Sequence, residues 1–168
     1  MTYNPDAGKF KGDKMATGCF FGHKDTPEFV KNDLYTAIEK LITERGVETF
    51  YVGNQGHFDF YTRAVLRQLQ KKYPHIRYAV VLAYMPGEVN EYDADYSDTM
   101  LPEGIEEVHP RYAIDWRNRW MLRQSQYVIC YIHHHWGGAA KYAQTAQRRG
   151  KTVINLCPNT VFNGGTSK

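Results

Sequence analysis

Two kinds of apolar pattern alternate along the chain. Short, nearly continuous apolar runs occur at about Lys14 to Phe21, Thr49 to Val52, Tyr78 to Tyr84, Tyr127 to Ile132 and Lys151 to Leu156. Runs of this length, rich in β-branched and aromatic residues, predict strands buried on both faces. Between them the apolar residues fall at helical spacing. Phe29, Leu34, Ala37, Ile38, Leu41 and Ile42 share one face of a helix that ends near Arg45, with Gly46 as its stop. Asp25 or Thr26 is expected to cap that helix, with Pro27 in its first turn. A second helix runs from about Phe58 to Lys72 and breaks at Pro74. A third spans Tyr112 to Gln124, with Trp116, Trp120 and Met121 at spacings of four and five. The fourth follows Gly137-Gly138, is rich in Ala and Gln, and closes with Arg148, Arg149 and a C-cap Gly150.

This alternation predicts an α/β fold. The expected form is a doubly wound, mostly parallel five-strand core sheet with helices on both faces. Right-handed crossovers then make the first and fourth strands neighbours at the switch point. Gly22 to Asp25 would lie beside His133 to Gly138.

A chain of 168 residues is long enough for one full core. We expect a single domain over residues 14–157, a mobile leader at 1–13 and a polar tail at 158–168. Between the third strand and third helix lies a segment, 85–110, carrying Pro86, Gly87, Pro102, Gly104 and Pro110. A connection this long is read as a lid or a mobile insertion. It is also acidic. From Tyr84 to Trp116 there are 9 acidic residues and one basic residue, Arg111, so the remainder holds 20 of the 21 bases. A basic remainder suits an anionic ligand and leaves nucleic acid open as a partner.

Glycine-bearing turns recur where strands hand over to helices. Gly22, His23 and Lys24 follow the first strand; Gly53, Asn54, Gln55, Gly56 and Asp59 follow the second; His133, Gly137, Gly138 and Lys141 follow the fourth. Glycines let a ligand approach the backbone, and helix N-termini offer N–H groups to an anion. These residues, with Arg117 and Asn118 of the third helix, are the candidate phosphate and nucleotide cradle. Each has a plainer reading. The Gly137-Gly138 pair could serve packing alone. Asp59 could hold a ribose hydroxyl or cap its helix. Arg117 could pair with the acidic segment. Tyr84, Tyr92 and Tyr96 could stack on a base or pack on the surface.

Other chemistry is thinner. Cys19, Cys130 and Cys157 form no CxxC and read as reduced thiols in a cytoplasmic protein. No apolar run is long enough for a membrane span, and Met1 to Lys14 lacks a signal-peptide core, so no membrane partner is expected. The run His133, His134 and His135 invites metal. An extended chain points alternate residues to opposite sides, so at most two of the three converge easily, and no metal cofactor is expected.

Arg117-Asn118-Arg119-Trp120-Met121, Ser125, the following strand, Gly137-Gly138 with Lys141, and Gly150-Lys151 resemble the SLOG superfamily. The turn Gly53 to Gly56 and the opening Gly22-His23 agree. That group includes the LOG phosphoribohydrolases and the DNA-processing DprA proteins; the branch most similar is the YpsA-like one. The resemblance spans about Met15 to Leu156. It implies a Rossmann-like fold that binds nucleotides or nucleotide-derived ligands at these loops. It also implies a catalytic role for Arg117. LOG enzymes carry Gly-Thr-x-x-Glu after their paired glycines, whereas here the Glu position falls near Gln144. An amide cannot supply the carboxylate that glycosidic cleavage needs.

The expected function is therefore binding or sensing of a nucleotide-derived small molecule. The alternatives are a nucleoside 5'-monophosphate N-glycosidase using another carboxylate, with Asp59 and Arg117 as catalytic candidates, and single-stranded DNA binding. Homo-oligomerisation stays open.

Overall fold

The computed structural model describes residues 15–85 and 98–158. Its elements run β1 (Thr17–Gly22), α1 (Val30–Arg45), β2 (Thr49–Val52), α2 (Gly56–Lys72), β3 (Arg77–Val81), β4 (Thr99–Met100), α3 (Ala113–Gln124), β5 (Tyr127–Tyr131), α4 (Gly138–Arg148) and β6 (Thr152–Asn155). The strands form one sheet in the order β4-β3-β2-β1-β5-β6. Every neighbouring pair is parallel. β1 is central and meets β2 on one side and β5 on the other, the predicted first-to-fourth adjacency.

Side chains of β1 alternate between two cores, as strand geometry requires. Phe20 packs with Val30, Leu34 and Ile38 of α1 and Phe58, Leu66 and Leu69 of α2. Cys19 and Phe21 point the other way, to Met121 and Leu122 of α3 and Tyr142 and Ala146 of α4. On β5, Ile129 joins the first core and Val128 the second. The sheet is thus covered on both faces, which is why its strands are apolar throughout. Cys19 and Cys130 are fully buried on the adjacent strands β1 and β5.

The sheet has six strands where five were expected. β4 is only two residues long, pairing Val80 with Thr99 and Val81 with Met100. Two residues carry no period, so the pattern could not announce them. Helix α1 starts later than expected. Thr26 Oγ donates to the His23 carbonyl at 2.6 Å and closes the loop instead of capping a helix. Pro27 to Phe29 form a separate turn, with Val30 N donating to Pro27 O at 3.1 Å.

The acidic segment divides. Residues 86–97, with Tyr92 and Tyr96, lie outside the described residues, as do the leader and nearly all of the tail. From residue 98 the chain adds β4, a 3-10 turn at Ile105–Glu107 and another at Pro110–Tyr112 leading into α3. Tyr84 donates its hydroxyl to the Pro110 carbonyl at 2.9 Å, tying the two ends of the segment together. Among the described residues no helix is long and apolar enough to cross a membrane.

Candidate functional site

The carboxyl ends of β1, β2 and β5 open into one cleft of about 310 Å³. A parallel sheet places all strand-to-helix loops on this edge. Gly22, His23 and Lys24 line it from the first loop, Gln55 and Asp59 from the second, and Gly137 and Gly138 from the third. Arg117 and Asn118 reach it from α3. Asn54, Gly53, Gly56, His133 and Lys141 do not line it.

Those five have other places. Gly53 supports the cleft from below: a Cβ there would lie 2.7 Å from Asp59 Oδ2 and 3.0 Å from Arg117 Nη1. Asn54 Oδ1 accepts from Arg117 Nη1 at 3.3 Å. Gly56 has φ +81, and a Cβ there would fall 2.6 Å from Lys24 Cα, so only glycine lets the first two loops touch. Gly22 lines the cleft, yet its missing Cβ serves packing, because the Phe58 ring fills the space that a Cβ would take. Lys141 faces outward, with Nζ 2.9 Å from Asp115 Oδ1.

Asp59 does what a cap would do. It sits in the first turn of α2, and its Oδ2 accepts from Gln55 N at 2.9 Å, satisfying the amide before the helix. It is nevertheless buried, at 8% exposure. Burial pushes its carboxyl up to about 6, opposed by the Gln55 N–H and the positive Arg117 and Arg63. A carboxyl near neutrality can hold or release a proton at working pH.

Arg117 is buried more deeply, at 2% exposure. Its Nη1 donates to the Val81 carbonyl at 2.7 Å. Its Nε is buried and has no hydrogen-bond partner among the described residues. No carboxylate of the described residues pairs with it. Burial lowers its pKa and the nearby Asp59 opposes that shift. The guanidinium is thus a positive charge beside the cleft, held in place by a carbonyl and an amide.

Helix α4 presents its N-terminus to the same cleft. Gly137 has φ +93 and ψ 174, a conformation open to glycine almost alone, and as N-cap it has no side chain with which to cap the helix. The first backbone N–H groups of a helix lack intrahelical acceptors. A Cβ on Gly138 would meet only Tyr142 Cε2, at an ordinary 3.9 Å, so the space above it is open.

Tyr142 is a cleft residue that sequence reasoning missed, together with Phe21, Ile114, Met121 and Ala139. The signal was present, since Tyr142 stands one helical turn beyond Gly138 on the same face. Its hydroxyl donates to Asp115 Oδ1. Burial first, and then the Asp115 carboxylate, push its pKa well up. Desolvation would raise Asp115, but hydrogen bonds from Tyr142, Lys141 and Arg119 hold it below the usual range.

The histidines gather at the rim. His23 stacks on His134 with ring centroids 3.7 Å apart, and His133 meets His23 edge-on at 4.5 Å. His134 stacks in turn on the exposed Trp136 at 3.9 Å. Two of the three consecutive histidines converge, as an extended run allows. His135 instead sits edge-on to Trp136, and His57 contacts Tyr61. Burial first, then His134 and His133, hold the His23 pKa down to about 4, with Asp25 opposing.

The family model of the YpsA type, described as the YspA SLOG family, matches residues 10–155. Among solved structures the chain is similar to DNA processing protein A (DprA) from Streptococcus pneumoniae, with a TM-score of 0.62 and 15% identity. That likeness covers 90% of this chain and 53% of the other, so the chain matches about half the length of that protein. At this identity it speaks for the fold alone. No curated protein matches. With the family model spanning nearly the whole sheet and the three loops that bound the cleft, the chain belongs to the YpsA family of SLOG proteins.

Proposed function

We propose that the cleft binds a nucleotide or nucleotide-derived ligand, with its phosphate at the N-terminus of α4 and beside Arg117. The observation that carries this reading is the buried Arg117 guanidinium, which among the described residues has an unpartnered Nε and no carboxylate pair, lining a cleft that also receives the helix N-terminus behind Gly137. A buried charge that is only partly offset, here by the nearby Asp59 and two neutral acceptors, is costly, and an anion lowers the cost. Helix N-termini favour the same charge. The planar fork of arginine suits phosphate oxygens. Lys24 adds a further cation to the lining. Membership of the SLOG superfamily, whose members bind nucleotide-derived ligands at these loops, points the same way.

Calorimetry with nucleoside mono-, di- and triphosphates tests the reading. Arg117→Met keeps most of the side-chain volume and removes the charge. It should weaken binding by about tenfold to 150-fold, the worth of a hydrogen bond to a charged group. If the protein binds no nucleotide or nucleotide derivative, the reading fails. If Arg117→Met binds as well as the unaltered protein, the role given to Arg117 fails. Single-stranded DNA belongs in the same panel, because the solved relative is a DNA processing protein. Strongly salt-dependent DNA binding without nucleotide binding would replace the small-molecule reading.

A second reading is N-glycosidic hydrolysis of a nucleoside monophosphate. Asp59 favours it. Its carboxyl is buried in the cleft and pushed up to about 6, a value suited to general acid catalysis. It would take the part of the glutamate replaced at Gln144. Release of free base from a nucleoside monophosphate, lost in Asp59→Asn, is the expected result. No release under any condition leaves the cleft as a binding site.

A further inference from the structure

His23, His133 and His134 each present one ring nitrogen, and the three nitrogens lie within 4.8 Å of one another. They come from the two loops that the β1–β5 pairing brings face to face. His23 is 7% exposed, and its Nε2 is buried with no hydrogen-bond partner among the described residues. A buried polar atom left unsatisfied costs on the order of 1–3 kcal/mol. Stacking on His134 occupies the face of the ring and leaves the in-plane nitrogen unserved.

The tautomer of His134 is fixed by its neighbour. Its Nδ1 lies 2.9 Å from the Trp136 carbonyl oxygen. A carbonyl only accepts, so Nδ1 carries the proton and Nε2 keeps its lone pair. A ring N–H given to a backbone carbonyl is the arrangement that orients metal-ligating histidines. His133 has a carboxylate nearby, with Asp25 Oδ1 3.6 Å from its Nε2.

We propose that His23, His133 and His134 form a site for one divalent first-row transition ion, with a fourth position open to water or to a ligand oxygen. Neutral imidazoles select zinc, nickel, cobalt and copper over magnesium and calcium. Three histidines with an open position make a set that can hold an exchangeable ligand. Metal–nitrogen bonds of 2.0–2.1 Å in a tetrahedral site place the nitrogens about 3.3 Å apart, so the cluster contracts by about 1.5 Å at most. The near-parallel rings of His23 and His134 also require one of them to turn. His23 is locked by burial, whereas His133 is exposed and His134 half-buried, so the outer two rings move to the inner one. Because His23 also lines the cleft, the ion would stand at its rim.

The test uses the full chain without an affinity tag and with the metal alone. Cobalt titration followed by visible absorption should show one equivalent bound, with ligand-field bands of a four-coordinate ion that zinc displaces. His133→Ala and His134→Ala alter residues that are not buried, so both should keep the metal-free melting temperature. Each should weaken cobalt binding at least tenfold, roughly the loss that an outer-shell change alone can bring. His135→Ala, outside the cluster, should leave affinity unchanged. Absence of stoichiometric binding overturns the proposal. So does binding that survives both substitutions, or that His135→Ala weakens equally. No nucleotide enters the experiment, so its result is independent of the ligand assigned to the cleft.

Discussion

Asp59 Oδ2 and Arg117 Nη1 flank a single point above Gly53, at 2.7 Å and 3.0 Å, without forming an ion pair. The missing side chain of Gly53 is what lets both groups lie there. Gly53→Ala would place a methyl group in that space. Overpacking of this kind costs typically about 1–3 kcal/mol. We expect a loss of that size in urea unfolding, together with weaker ligand binding. Unchanged stability would mean that the two side chains move apart freely.

Asp59 gives the protein a pH signature. Its folded pKa, about 6, lies above the ordinary 3.8, so between these values the folded state holds a proton that the unfolded state has released. The favourable contribution is full below about pH 4 and is lost as pH rises through 6. Asp59→Asn does not titrate and keeps an oxygen acceptor for the Gln55 amide. The stability of the unaltered protein relative to Asp59→Asn should therefore fall between pH 4 and 7, by up to about 3 kcal/mol. A difference that stays constant across this range would show an ordinary carboxyl.

The paired glycines should separate by substitution. Gly137→Ala forces a side chain into a glycine-only conformation and should cost about 1–3 kcal/mol of stability with no clash to relieve. The Cβ of Gly138→Val meets only ordinary contact with Tyr142, so the substitution should leave the melting temperature nearly unchanged. It should still block phosphate approach to the α4 amides. Undiminished nucleotide binding by Gly138→Val would place the phosphate elsewhere.

The thiols should differ sharply in reactivity. Burial pushes Cys19 up to about 12 and raises Cys130 as well, and both are inaccessible. Cys157 is partly exposed. Iodoacetamide on the folded protein should therefore modify Cys157 alone, as peptide mass mapping would show. Labelling of Cys130 would reveal opening of β5.

The main architecture was legible because long periods are robust. Five strands, four helices and the adjacency of β1 and β5 follow from apolar runs and alternation. The cleft loops followed from glycines at strand ends. What stayed hidden depends on single contacts. Two residues of β4 carry no period. Gly22 looked like a ligand glycine, but its neighbour Phe58 is 36 residues away in the chain and fills the space. Lys141 belonged to the motif and yet turns outward, because Asp115 on another helix takes its charge. The convergence of His23 with His133 and His134 needed the sheet order and side-chain directions together.

The central position of β1 bears on how the molecule comes into being. On one side it registers Thr17 with Thr49; on the other, Thr17 N bonds Gln126 Oε1, a partner 109 residues away. Loop closure over such a span is slow, and a chain made on the ribosome presents its N-terminal half first. β1 to β3 with α1 and α2 can associate while β5 has yet to be synthesised. Until Tyr127–Tyr131 arrives, the middle strand of the finished sheet is an open edge. The cleft, bounded by loops from both halves, cannot exist before β5 and the start of α4 have joined.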